Sequence, residues 1–453
     1  MSLQPKKMPC LCRHACSVLI LAFAISTLAH SAPHLALPLK ISGNSRYLLD
    51  QNEQAVFLQG DTPWSLISGL TKDEAARYLK DRQAKGFNAL IVNLIEHKYR
   101  GPVNREGEPP FTATGDFATP NEKYFAHSDW VLRRAADEGI VILLAPMYLG
   151  YKGTDEGWYQ EVRLNGEAKC RDYGRYLGRR YKDYSNIIWL MGGDRNPADV
   201  RDEVDGLAAG IREFAPSHLF TAHTVSESTP AEQYSLSQWL DLNATYTYMI
   251  VHRQLLANYH RRPVRPNILI ESTYEGEHNA SPLQIRRQAY WALLAGATGQ
   301  FYGNRPIWGF FPGWEKALDS RGGQDMARLA EFIKSRPWHT LVPDDAHKVV
   351  TSGLGEFRGL DYLAAGRSAD RRMLMAYIPT PRSVVVQFSE LAGNKLKASW
   401  FDPQSGKTLD AGEYQAQGQH EFHTPGDGDW VLVVEDTSPQ LPDPRRMQRS
   451  GRP

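Results

Sequence analysis

Eight short apolar runs, all but the fifth followed by a stretch with helical spacing, constrain this chain more than any other feature. They lie at 56–59, 89–94, 141–146, 186–191, 219–223, 243–247, 267–270 and 300–302. Apolar residues follow one another in them instead of alternating, which is how strands read when both faces are buried. Strands that alternate with helices imply a parallel sheet, and eight such units make a (β/α)8 barrel. Helices are expected at 72–85, 121–138, 168–181, 200–214, 251–259, 282–295 and 325–335. The first is the best marked: Thr71 suits the N-cap, Glu74 the capping box and Gly86 the stop. Ahead of the barrel, 47–50 and 55–58 flank the turn residues 51–54 and predict a hairpin.

The pattern changes near Pro337-Trp338. Beyond it only strands and turns are expected, at 348–350, 361–364, 373–377, 383–388, 397–401 and 430–434. The reading is therefore a barrel with its hairpin over 33–338 and a small β-sandwich over 339–437. The sandwich is expected to cover apolar barrel surface. A Pro- and Arg-rich tail, 438–453, is expected to be disordered.

Residues 1–32 read as a cleavable export signal. Lys6, Lys7 and Arg13 precede the apolar stretch 17–28, and Ala29-His30-Ser31 offers small residues for cleavage. The stretch is short for a membrane span, so no stable membrane insertion is expected and the product is secreted or periplasmic. Cys10, Cys12 and Cys16 fall in this leader. Cys170 alone remains, so the mature chain can form no internal disulfide, a habit more typical of an exported bacterial protein. A net charge of +1 and no basic run argue against nucleic acid as a partner.

The acids that matter follow two of the apolar runs. Asp194 comes after the fourth (Gly192-Gly193-Asp194), and Glu271 comes after the seventh (Glu271-Ser272-Thr273-Tyr274). A parallel barrel gathers its active site from the C-terminal ends of its strands. Two carboxylates there are the equipment for cleaving a glycosidic bond. Taken singly, Asp194 also fits a turn acid before Asn196-Pro197, and Glu271 a structural ion pair with an arginine. Other strand ends offer candidate sugar contacts: Asp61 and Trp64, Asn93 and His97, His223, Tyr246, Tyr274 and Trp308. One tyrosine of the Tyr246/Tyr248 pair is expected to hydrogen-bond the nucleophile. Metal-ligand spacings, a P-loop and a nucleotide-binding glycine fingerprint are all absent from the sequence, so no cofactor is expected.

A narrower likeness runs along the chain. Phe57-Leu58-Gln59-Gly60-Asp61-Thr62-Pro63-Trp64, Trp189-Leu190-Met191-Gly192-Gly193-Asp194, Glu271-Ser272-Thr273-Tyr274-Glu275-Gly276 and Trp338-His339-Thr340-Leu341-Val342-Pro343-Asp344 resemble the apiosidase-like glycoside hydrolases, family 140. Trp400-Phe401-Asp402-Pro403-Gln404-Ser405-Gly406 is similar to the β-domain with a collagen-binding label that accompanies those barrels. The resemblance implies Asp194 as acid/base and Glu271 as nucleophile of a retaining hydrolase. The wider clan of retaining barrel enzymes usually carries Asn-Glu where this chain has Gly193-Asp194. The resemblance further implies apiosyl linkages of pectin, especially rhamnogalacturonan II, as substrate. A non-catalytic carbohydrate or matrix binder, and a retaining glycosidase of another sugar, are the alternatives.

Overall fold

The computed structural model describes residues 1, 35–97, 99–153 and 156–438. The expected leader and tail lie outside these residues, apart from Met1 and Ser438 at their ends.

All eight barrel strands form and run parallel: Leu58–Asp61, Ala89–Asn93, Val141–Ala145, Ile187–Gly192, Leu219–His223, Asn243–Tyr246, Asn267–Glu271 and Gly299–Tyr302. Counted along the chain, their order in the sheet is 5-4-3-2-1-8-7-6. The ladder is continuous except between the fifth and sixth strands. These meet through Leu242 N donating to Phe220 O at 3.1 Å and Thr221 Oγ1 donating to Leu242 O at 3.0 Å. The barrel is thus nearly closed.

The first strand begins at Leu58, two residues later than its apolar run suggests, because Ala55–Val56 is spent in the N-terminal hairpin. That hairpin pairs Leu48–Leu49 with Ala55–Val56 and gains a third strand, Lys40–Ile41. Leu39 and Leu48 join the cluster that fills the barrel interior, with Leu58, Ile91, Leu143, Ile188, Ala244, Ile268 and Phe301. The hairpin therefore plugs the N-terminal end of the barrel and leaves the other end for chemistry.

Helices Lys72–Ala84, Glu122–Asp137, Arg201–Arg212, Val251–His260, Pro282–Leu294 and Arg321–Lys334 lie close to their expected positions. Thr71 Oγ1 and the Glu74 carboxylate make the reciprocal capping box. The helix expected at 168–181 instead spans Tyr159–Tyr181, interrupted at Gly166, whose φ of 67° breaks the helical run.

The C-terminal region is a sandwich of two antiparallel sheets, one of six strands and one of three. Leu374, Ala376, Val384, Val386, Leu396, Trp400, Phe422 and Val434 pack between them. Three strands escaped the sequence reading, Leu341–Pro343, Thr408–Gln415 and Gln419–His423. The other face of the six-stranded sheet is apolar too. Met373, Met375, Tyr377, Phe401, Val431 and Val433 share one core with Trp291, Leu294, Leu329 and Phe332 of the barrel helices. An ion pair is buried in the same interface. Arg286 grips Asp429 with two parallel bonds, at 2.9 and 2.7 Å, and reaches Asp325 at 2.8 Å. The Tyr377 hydroxyl at 2.9 Å and Gln404 Nε2 at 3.3 Å also donate to Asp429. The sandwich is thereby an integral wall of the molecule.

Candidate active site

The fourth strand ends where two glycines are needed. Gly192 has a φ of 79°, in the left-handed region, and its carbonyl accepts from Leu149 N at 3.1 Å. A Cβ on Gly193 would stand 2.4 Å from the Leu149 amide nitrogen, so only glycine fits. Gly193 N then donates to His223 O at 3.1 Å. Asp194 is thus delivered to the barrel mouth from a turn pinned between the third and fifth strand ends. The seventh strand ends at Glu271 itself, with a register shift against the sixth strand between Leu269 and Glu271.

These two acids share one pocket of about 130 Å³, lined by Trp64, Tyr99, Tyr148, Asp194, Glu271, Tyr274, Glu277 and Trp308. The pocket is small beside the roughly 300–1,000 Å³ of drug-sized sites, and suits a single sugar ring. A larger hollow of about 270 Å³, lined by Arg46, Tyr47, Tyr259 and Trp338 among others, lies at the opposite end of the strands and contains no carboxylate.

Glu271 is held at both oxygens. Oε1 accepts from the Tyr248 hydroxyl at 2.8 Å, and Oε2 meets His223 Nε2 at 2.9 Å. Tyr246 in turn donates to the Tyr248 hydroxyl at 3.1 Å. Burial alone would depress the His223 pKa, but the bond and charge of Glu271, helped by Asp194, carry it above the ordinary histidine value. His223 therefore favours its imidazolium form beside the Glu271 carboxyl.

Asp194 behaves differently. Burial is the main cause that pushes its pKa up to about 6, and the charges of Glu271 and Glu156 add to it. The charge of His223 and the neighbouring Tyr246 hydroxyl only moderate the rise. One carboxyl thus keeps its proton to higher pH than usual, while its neighbour is held at both oxygens by hydrogen-bonding side chains. Paired carboxylates in unequal environments can take different roles in one reaction.

Aromatic rings complete the walls. Trp64 packs tilted against Tyr148 at 5.5 Å and edge-on to His223 at 5.4 Å. Its Nε1 donates to the Tyr274 hydroxyl at 3.2 Å. Trp308 donates from Nε1 to Glu277 Oε1 at 3.0 Å and meets Tyr99 edge-on at 5.1 Å.

Of the residues singled out from sequence, Asp194, Glu271, Trp64, Tyr274 and Trp308 line the pocket, and His223 and Tyr246 stand directly behind the two acids. Three do not gather there. Asp61 is fully buried in the barrel wall, where Tyr78 (2.7 Å), Arg82 (3.2 Å) and its neighbour's amide, Thr62 N (2.7 Å), consume its carboxylate. It can grip no sugar from that position. Asn93 is buried and donates to Glu96 at 3.2 Å. His97 turns onto Trp158, at 4.8 Å between rings, and Glu161, at 3.1 Å. Conversely, Tyr99, Tyr148 and Glu277 were missed. Tyr148 had a visible signal, an aromatic three residues past the third strand. Of the Tyr246/Tyr248 pair, Tyr248 is the one that bonds Glu271. Among the described residues no group of three or more His, Cys, Asp or Glu side chains is arranged to hold a metal ion.

Comparison with known proteins bears on the family and the fold. The family model "Apiosidase-like, catalytic domain" matches residues 42–340. A model described as the collagen-binding domain of a collagenase matches residues 342–435. Among solved structures, a protein named glycoside hydrolase is 28% identical with a TM-score of 0.80, covering 89% of this chain and 98% of its own. A glycoside hydrolase family 5 protein from Bacteroides vulgatus is 26% identical with a TM-score of 0.79, covering 89% of this chain and 94% of its own. No curated protein matches the sequence.

Proposed function

This chain belongs to the apiosidase-like family of glycoside hydrolases, and from that premise we propose that it is a retaining enzyme that removes apiosyl units from pectic side chains. The observation that carries the mechanism is the unequal pair of acids in one aromatic pocket. The protonated Asp194 carboxyl gives its proton to the glycosidic oxygen as the C1–O bond breaks. The leaving sugar departs as an alcohol. Glu271, oriented by Tyr248 and His223, forms a new C–O bond at the anomeric carbon. Its negative charge disappears into that ester, which removes one cause of the raised Asp194 pKa. Asp194 is then a carboxylate able to take a proton from water. The hydroxide so formed attacks C1, and Glu271 leaves as a carboxylate.

A pocket with room for one ring supports removal of a terminal sugar over cutting within a chain. The basic and apolar leader pattern supports export to where such polysaccharides are met. The reading is tested by offering aryl apiosides and aryl glycosides of other neutral sugars, and following the anomeric configuration of the first product by NMR. Release of apiose with retained configuration is expected. Cleavage of another sugar alone would replace the substrate, and an inverted first product would replace the mechanism.

A further inference from the structure

Glu277 is a third carboxylate in the pocket, and the double displacement above has no use for it. Its position is built with care. Glu275 is anchored by Asn304 Nδ2 (3.0 Å), Ser320 Oγ (2.7 Å) and the Gly322 amide (2.9 Å), which fixes where the loop leaves the barrel. Gly276 then turns with a φ of 81°. Glu277 N donates to Tyr274 O at 3.1 Å, and Glu277 O accepts from Ala280 N at 2.9 Å. The side chain points to the pocket, where Trp308 Nε1 holds Oε1 at 3.0 Å. No hydrogen bond to Oε2 comes from the described residues. Trp308 is itself wedged edge-on between Tyr99 and Phe311, at 5.1 and 4.7 Å.

The rest of the lining has a matching character. It consists of three carboxylates and five aromatic rings, with no lysine or arginine among the described residues. Glu156 lies close enough to raise the Asp194 pKa through its charge. A carboxylate only accepts hydrogen bonds, so the open oxygen of Glu277 calls for hydroxyl donors. A sugar carboxylate would instead bring like charge into a partly desolvated site lined by three carboxylates, where the His223 imidazolium is already engaged by Glu271.

We propose that Glu277 is the specificity residue of this pocket: it binds hydroxyls of an uncharged glycone and excludes glycones that carry a carboxylate. This rests on the hydrolase reading and adds the class of sugar. A pectin-directed enzyme works among uronic acids, so the exclusion has consequences for which residues of the polymer it can enter.

Three variants separate the parts. In Glu277→Gln the charge is gone, and kcat/KM on the cleaved neutral glycoside should fall about 10- to 100-fold, the worth of a hydrogen bond to a charged group. Its preference for a neutral monosaccharide over the matching uronic acid, measured as competitive inhibitors, should narrow at least about tenfold. Glu277→Asp should lose affinity for the neutral sugar yet keep the exclusion, because the charge stays while the reach shortens. Trp308→Phe, which removes the donor that orients Glu277, should weaken binding without admitting uronates. Thermal midpoints near the parent's confirm that each variant is folded. Unchanged kinetics and unchanged discrimination in Glu277→Gln would overturn the proposal, as would a parent enzyme that takes uronates as readily as neutral sugars. A parent that neither cleaves nor binds any glycoside contradicts the hydrolase reading itself, and the proposal falls with it.

Discussion

The Tyr248 hydroxyl donates to Glu271 Oε1 at 2.8 Å, while the opposite oxygen is taken by His223. A carboxylate held at both oxygens cannot rotate away from the anomeric carbon. Tyr248→Phe removes one anchor and keeps the ring. It should lower kcat/KM about 10- to 100-fold, the worth of a hydrogen bond to a charged group, with an unchanged thermal midpoint. Steady-state kinetics beside a melting curve checks both halves.

Asp194, with its pKa near 6, sets the pH dependence. The acid must carry its proton to release a poor leaving group. Activity is therefore present below the raised pKa and lost as pH rises through about 6 in the free enzyme. The kcat/KM profile on an alkyl glycoside should show that alkaline limb. Asp194→Asn, measured on an aryl glycoside whose leaving group needs no proton, should lack it.

Asp429 tests the role of the sandwich. Its carboxylate is fully buried and receives the Arg286 fork and the Tyr377 hydroxyl. Asp429→Ala leaves the Arg286 guanidinium with half its anionic partners, and breaking such a pair costs about 3–5 kcal/mol. Denaturant titration should show that loss in one transition that includes the barrel, because the core is shared across the interface. Two transitions, with the barrel's midpoint unmoved, would make the sandwich an independent appendage.

Much of this was legible in the sequence, for a definite physical reason. Strands buried on both faces read as largely apolar runs, and Ala89–Asn93, Val141–Ala145 and Ile187–Gly192 do so most plainly, while Leu58–Asp61, Asn243–Tyr246 and Gly299–Tyr302 carry buried polar residues as well. Finding the strands also located Asp194 and Glu271, since chemistry in this fold sits at strand ends. The sandwich strands Thr408–Gln415 and Gln419–His423 were invisible because they are largely exposed and carry few apolar residues. Asp61 was misread because a strand-end acid looks the same whether it meets a sugar or a buried arginine. Its partners Tyr78 and Arg82 sit on the following helix, and only the fold turns them inward. Glu277 was missed for the converse reason. It lies in a turn without periodicity, and its address depends on Trp308, which arrives from the next loop.

The central claim is the division of labour between Asp194 and Glu271, and azide rescue of the two alanine variants tests it most directly. On an aryl glycoside, Asp194→Ala should still form the glycosyl-enzyme, and azide should accelerate turnover to give a glycosyl azide of retained configuration. Azide needs no general base, so the missing carboxylate is not required for that step. Glu271→Ala should be silent alone and, with azide, give the inverted glycosyl azide, because the anion attacks from the space the nucleophile vacated. The same azide stereochemistry from both variants, or near-parental turnover in either without azide, would contradict the assignment.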